Sequence, residues 1–471
     1  MVKLLITLAL AGCIFTAHAI DVYSSTYQAP EAPDLLIINA SLYVGDGSEI
    51  EKGFIHVRQG QIVAVGAGSP VGIESSWIID AEGKWVTPGI IDVHSHLGNY
   101  PSPSYRGSSD GNEATSPVTS EVWAEHSVWP QDPQFPLALA GGVTTLQVLP
   151  GSANLFGGRS VTVKNVWSRT VQGMKFPGAP YGLKMACGEN PKRVYGRKGS
   201  APSTRMGNFA GYREAWIDAL EYQQSWVLYD RDLGRFEDEK TASGESTEDV
   251  KGDYKKEPSP PKRNLQMETL VGVLDGDILV HNHCYRADEM AQIIDLSKEF
   301  GYQITAFHHA VEAYKITDLL AENNICSAMW ADWWQFKLES FDGIQENIPL
   351  VHSAGACAIV HSDSAIGIQR LNQEAAKALA AGVRLGLTIS RAEAMTWITG
   401  NAAKALGIDH KTGTLHNGKM ADLVIWSHDP FSVYARAEKV FIDGVIRLDI
   451  DKGLKPVSDF ELGLRIQDKQ S

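Results

Sequence analysis

Thr87-Pro88-Gly89-Ile90-Ile91-Asp92-Val93-His94-Ser95-His96 is an apolar run that finishes in two histidines one residue apart. Side chains at i and i+2 point to the same face of a strand. A strand here therefore delivers two imidazoles side by side at its end, which is a natural metal clamp. The pattern recurs. Asp277-Ile278-Leu279-Val280-His281-Asn282-His283 repeats the spacing, and Ile304-Thr305-Ala306-Phe307-His308-His309 closes another apolar run with histidines. Ala358-Ile359-Val360-His361-Ser362-Asp363 closes a fourth, with a carboxylate at its tip. In a parallel barrel the C-terminal strand ends converge on one site. Packing alone is a poor explanation for four strands that each end in His or Asp.

The segment around these motifs, 89–407, alternates short apolar runs with helical ones. Strands are expected over 89–94, 143–149, 181–186, 278–283, 302–307, 325–329 and 358–361, with helices such as 287–300, 317–323 and 372–381 between them. Strand–helix alternation implies a parallel sheet. With 160–164 as an eighth strand, the expectation is an α/β fold of the (β/α)₈ TIM-barrel type. Such a barrel takes about 250 residues, so a chain of 471 accommodates it with a smaller domain besides.

That smaller domain is foreshadowed at both chain ends. Residues 35–39, 54–58 and 61–65 are short β-branched runs separated by turns such as Gly45-Asp46-Gly47, and 421–426, 439–442 and 445–448 repeat the pattern around Asp443-Gly444. Together they predict a small β-sandwich assembled from 20–88 and 409–450, enclosing a barrel over 89–408. Residues 230–263 are rich in Asp, Glu, Lys, Ser and Pro and are expected to form an exposed, mobile insertion. A polar tail covers 451–471.

Hydrophobic residues make up 44% and charged residues 21%, as in a globular protein, which excludes disordered and fibrous classes. A net charge of −14 disfavours nucleic acid, whose phosphates require cationic partners. Residues 1–19 carry Lys3, an apolar run and Ala17-His18-Ala19, the signature of a cleaved export signal. Leu10-Ala11-Gly12-Cys13 also fits a lipoprotein box, with Cys13 lipidated. The expected location is therefore outside the cytoplasm, periplasmic or secreted. No later stretch reaches the ~20 apolar residues of a membrane span. Cys187, Cys284, Cys326 and Cys357 remain, and could pair in an oxidising compartment, although no spacing demands it.

The T-P-G-x-I-D-x-H-x-H entry, the strand-end histidines and the final strand-end Asp resemble the amidohydrolase superfamily, in order along the chain. Gly141-Gly142-Val143-Thr144-Thr145, Pro150-Gly151-Ser152-Ala153-Asn154, Gly188-Glu189-Asn190-Pro191-Lys192 and His283-Cys284-Tyr285-Arg286 resemble its imidazolonepropionase-like branch. So does His309 followed by Glu312-Ala313-Tyr314-Lys315. The resemblance implies metal ligands at His94, His96, His283, His309 and Asp363. His281 and His308 are the register-shifted competitors of His283 and His309. It implies a bridging ligand at Glu189, with a carboxylated Lys184 as the alternative. Asp363 would also shuttle the proton. Tyr285, Arg286 and Lys192 are candidate substrate contacts, with Arg193, Asn112, Glu113 and Asn154 as weaker ones. Trp330, Trp333, Trp334 and Phe336 either wall an apolar pocket or pack a neighbouring helix.

The implied cofactor is Zn²⁺, one or two ions, or another divalent metal. The implied activity is hydrolysis of a non-peptide C–N bond, in a cyclic amide or an N-acyl amino acid, by metal-activated water. The alternatives are an exported prolidase-like dipeptidase, an aminated-heterocycle deaminase using Glu312, and a non-catalytic binding protein. The expected partner is a small molecule. The sequence is compatible with a homo-oligomer.

Overall fold

The computed structural model describes residues 23–243 and 256–453. The expected export signal, Cys13, the central part of the charged insertion and the tail beyond 453 lie outside the described residues. No described helix is long and apolar enough to cross a membrane.

The chain opens with five strands: β1 (Leu35–Tyr43), β2 (Glu49–Arg58), β3 (Gln61–Ala67), β4 (Trp77–Asp80) and β5 (Trp85–Pro88). β1, β2 and β3 pair antiparallel, and β4 and β5 add to β1 in parallel. Gly89 then carries the chain into the second sheet. A Cβ at Gly89 would lie 2.0 Å from Oγ1 of Thr144, so this crossing admits no side chain.

The second sheet holds β6 (Ile90–Ser95), β7 (Val143–Val148), β8 (Phe156–Lys164), β9 (Tyr181–Ala186), β10 (Ile278–Cys284), β11 (Ile304–His309), β12 (Cys326–Met329) and β13 (Cys357–Val360), neighbours in chain order. Backbone and side chain bridge its two edges. Asp363 N–H donates to His94 O at 3.0 Å, and the Asp92 carboxylate accepts from Ser362 N–H at 3.2 Å and Ser362 Oγ–H at 2.5 Å. The result is a nearly closed eight-strand barrel in a mixed α/β fold.

One strand departs from the (β/α)₈ expectation. β8 runs antiparallel to both β7 and β9, whereas the other neighbouring pairs are parallel. A parallel return needs a crossover of a dozen or more residues. Only a short helix-free loop separates β7 from β8, so the chain turns straight back.

The helices are α1 (Gln134–Ala140), α2 (Glu189–Gly196), α3 (Arg205–Ser243), α4 (Leu265–Leu274), α5 (Ala287–Phe300), α6 (Thr317–Glu322), α7 (Asn347–Ser353), α8 (Leu371–Leu385), α9 (Arg391–Thr396) and α10 (Gly400–Ala405). α3 runs into the stretch 230–263, expected as an exposed, mobile insertion. As far as Ser243 that stretch is the outer third of a 39-residue helix. Asp, Glu, Lys and Arg exclude burial, but Glu, Lys and Arg are good helix formers. Ion pairs such as Arg231–Asp232 at 2.8 Å decorate its solvated surface.

β14 (Leu423–Trp426), β15 (Ala437–Ile442) and β16 (Val445–Asp449) return the chain to the first sheet, β14 pairing antiparallel with β5. Both chain ends thus build one eight-stranded sheet. Leu35, Ile37, Ile55, Val86, Ile425 and Phe441 are buried in one cluster on it. Lys164, at the end of β8 and fully buried, reaches across to this sheet. Its Nζ lies 2.8 Å from Asp443 and 3.3 Å from Asp422. Two disulfides join neighbouring barrel strands: Cys187–Cys284 beside the ends of β9 and β10, and Cys326–Cys357 at the starts of β12 and β13.

Candidate metal centre

β6 carries His94 into the barrel interior and His96 to its rim. His96 Nδ1 lies 2.8 Å from the carbonyl of Leu149. A carbonyl only accepts, so this nitrogen carries the proton and Nε2 is left as a ligand atom. That Nε2 is 3.1 Å from Asp363 Oδ1, and His94 Nε2 is 3.5 Å from the same oxygen. Asp363, two residues beyond His361 at the end of β13, sits at φ 47°, and His309 at φ 69°. Left-handed backbone at non-glycine residues is costly and clusters at functional sites. At His309 it has a visible effect. Consecutive strand residues face opposite ways, yet the His308 and His309 rings both lie against His94, at 4.8 and 4.9 Å.

Two sets of side chains converge closely enough to share an ion: His94, His96 and Asp363, and His94, His309 and His361. His309 Nε2 is also 4.0 Å from Asp363 Oδ2. His361 was not singled out as a ligand in the sequence, although its i, i+2 spacing to Asp363 repeats that of His94 and His96. His283 stands at the edge of the cluster, its ring 4.5 Å from that of His309 and its Nε2 3.4 Å from Asn190 Nδ2. The competitors occupy a deeper layer. His308 bridges His94 and His281 through contacts of 2.9 Å each.

Lys184 and Glu189, the two candidates for the bridging position, lie at different depths. Lys184, fully buried on β9, points into the barrel with Nζ 3.4 Å from His94 Nε2. Glu189 belongs to neither converging set. It opens α2, its N–H donates to Glu339 Oε1 at 2.6 Å, and its carboxylate faces Lys337 at 3.8 Å. Two residues, Cys187 and Gly188, separate β9 from Glu189 and carry it outward to the rim, whereas Lys184 keeps the inward register of the strand.

The donor set fits a metal ion. Buried ring nitrogens of His283, His309 and His361 have no hydrogen-bond partner among the described residues, and imidazole with carboxylate is a zinc-type ligand set. Burial holds His94, His283, His308 and His309 well below the ordinary imidazole range and takes His361 to about 3. The rings are therefore neutral, the ligating form. Burial lowers Lys184 to about 8. Burial pushes Asp363 upward, but the hydrogen bond that His96 donates when protonated at both nitrogens, with the charge of Lys184, outweighs it and keeps the carboxyl below its usual value.

Of the substrate-contact candidates, Tyr285 faces the site, its ring 5.2 Å from His309. Arg286 does not. It precedes α5, and its guanidinium pairs with Asp288 at 2.9 Å, a local surface contact. Lys192 lies half-buried along α2, and Arg193 is exposed. Glu312 is occupied elsewhere: it accepts the Ala287 N–H at 2.9 Å at the start of α5 and pairs with Lys315 at 3.2 Å. Asn112 and Asn154 pin loops, the latter donating to Glu113 O at 2.7 Å.

Residues 312–447 match the family model described as the amidohydrolase family. Over 416 residues the chain is 32% identical to the amidohydrolase tasK of Hapsidospora irregularis, covering 84% of this chain but only 40% of that longer protein. A molinate hydrolase structure, 16% identical with a TM-score of 0.51 over 88% of this chain and 95% of its own, shares the fold. The crystal structure of an amidohydrolase from Thermotoga maritima MSB8 is 33% identical, with a TM-score of 0.76 over 88% of this chain and 100% of that one. Identity at that level along the full length of a solved relative means that the chain belongs to the amidohydrolase superfamily.

Proposed function

We propose that the protein is an exported, metal-dependent amidohydrolase that cleaves a non-peptide C–N bond, in a cyclic amide or an N-acyl amino acid. The observation that carries this reading is the convergence of His94, His96 and His309 on Asp363 at the barrel mouth, with His361 beside His94 and His309. His94, His96, His309, His361 and Asp363 would hold the ion, with His283 beside them and Lys184, carboxylated, as the bridging group in place of Glu189. Bound Zn²⁺ or a similar divalent ion supplies Lewis acidity to the attacking water and to the carbonyl.

The chain's own residues do the rest. Asp363, ionised, accepts a proton as water adds to the acyl carbon. It then delivers that proton to the departing nitrogen as the C–N bond breaks. Glu312, tied to Ala287 and Lys315, is not placed for the acid–base role that the deaminase alternative assigns it. Cys187–Cys284 and Cys326–Cys357 support a location where disulfides persist.

Metal analysis and a substrate screen test the reading. Purified protein should contain a divalent metal, lose activity to chelators and hydrolyse cyclic ureides or N-acyl amino acids. Asp363→Asn should lower turnover by about 10²–10⁴ with the metal retained. Full activity in metal-free protein or in Asp363→Asn removes the mechanism, cleavage of dipeptides alone moves the assignment to a dipeptidase, and ammonia release without amide cleavage moves it to a deaminase.

A further inference from the structure

After β12 the chain runs through Trp330, Trp333, Trp334 and Phe336. Their placement resolves the two sequence expectations. Trp330 is buried, stacked on His309 with ring centroids 4.2 Å apart and on Trp333 at 5.2 Å. Trp333, Trp334 and Phe336 keep much of their surface open. They are 43%, 45% and 56% exposed. With Tyr285, Asp332 and Asp363 they line a cleft of about 480 Å³. An exposed group of large apolar side chains rarely occurs without a ligand or partner to cover it. This one opens directly on the carboxylate to which proton transfer is assigned.

The charges around the cleft define what it accepts. Among the described residues no Lys or Arg lines it. Lys337 lies just beyond, Nζ 3.8 Å above the Tyr285 ring, but it is already flanked by Glu189 at 3.8 Å and Glu339 at 3.7 Å. Asp332 is paired with Lys377 at 2.9 Å. Along the lining itself an anionic group would meet Asp332 and Asp363. A neutral apolar group would cover the faces of Tyr285, Trp330, Trp333, Trp334 and Phe336.

We propose that this cleft receives a neutral apolar arm of the substrate, aromatic or branched aliphatic, beside the scissile C–N bond. The inference rests on the proposed hydrolase reading for its location and deepens it by naming the arm. Binding and turnover separate the two. In calorimetric titrations of the holoprotein, 3-phenylpropan-1-ol, which has no bond to hydrolyse, should bind about tenfold or more tighter than propan-1-ol. Trp333→Ala and Trp334→Ala, at exposed positions that folding tolerates, should each shrink that ratio several-fold. In turnover, N-acetyl-L-phenylalanine should exceed N-acetylglycine and N-acetyl-L-glutamate in kcat/KM by about tenfold. Equal binding of the two alcohols, or a ratio untouched by both substitutions, overturns the arm assignment even where amides are hydrolysed. Selective binding without hydrolysis of any amide upholds the cleft and overturns the hydrolase reading.

Discussion

His308 Nδ1 lies 2.9 Å from His94 Nδ1, and its other ring nitrogen lies 2.9 Å from His281 Nδ1. For His94 to ligate through Nε2, its Nδ1 must carry the proton and donate to His308. His308 then donates onward from Nε2 to His281. The chain of three imidazoles thus sets both the tautomer and the orientation of a ligand. His308→Ala is expected to weaken metal binding by about 10–100-fold, measured by chelator competition. His308→Gln, which retains an acceptor, should recover part of the loss. Unchanged affinity in His308→Ala would reduce the residue to packing.

Lys184 and Glu189 make a second, paired prediction. Lys184 is fully buried beside His94 with no carboxylate within ion-pair distance among the described residues, whereas Glu189 faces Lys337 at the rim. Lys184→Met should lower turnover by about 10²-fold or more with loss of bound metal, because outer ligands and their supports carry effects of that size. Glu189→Gln should cost less than about tenfold. The reverse order would restore Glu189 as the bridging ligand.

Lys164 joins the barrel to the sheet built by the chain ends. Asp422 and Asp443 surround its ammonium, all three buried. Lys164→Met leaves two buried carboxylates without their cation and should cost about 3–5 kcal/mol in denaturant unfolding. Combining it with Asp422→Asn and Asp443→Asn should cost less than Lys164→Met alone, because the stranded charges leave with the cation.

Glu289 predicts a pH dependence. Its carboxylate is buried in α5, both oxygens lack hydrogen bonds among the described residues, and Arg205 approaches only to 3.4 Å. Burial raises its pKa to about 7. The folded state thus binds this proton more tightly than the unfolded chain does. The group's contribution to stability is present in full below the ordinary carboxyl range and is lost as pH rises through about 7. Glu289→Gln should therefore raise stability by roughly 1–3 kcal/mol at pH 8 and by little at pH 5. Thermal unfolding of both proteins at the two pH values checks this, and an equal effect at both would remove the titration as its cause.

The barrel strands were legible because each is a short apolar run with a polar terminus. Expected 181–186 coincides with β9, and 143–149 and 278–283 differ by one residue from β7 and β10. β4 and β5 went unread because they are four residues each, too short for alternation to declare itself. The outer third of α3 was not legible as helix because composition reports solvation, and a solvated helix and a solvated loop share it. At the site, His94, His96, His309 and Asp363 were visible as strand-end motifs. His361 carried the same spacing, and Lys184 carried no local signal at all.

By itself the sequence determined which side chains could meet at the barrel mouth, since strand periodicity assigns faces and parallel strands bring their ends together. It did not determine which neighbour each polar group would find. Whether Lys184 or Glu189 stands by His94, whether His308 ligates or supports, and whether Trp333 and Trp334 cover a helix or wall a cleft all depend on pairings between residues distant in the chain. Those pairings follow from strand register, from the left-handed turns at His309 and Asp363, and from the direction of β8. They exist only once the barrel has closed.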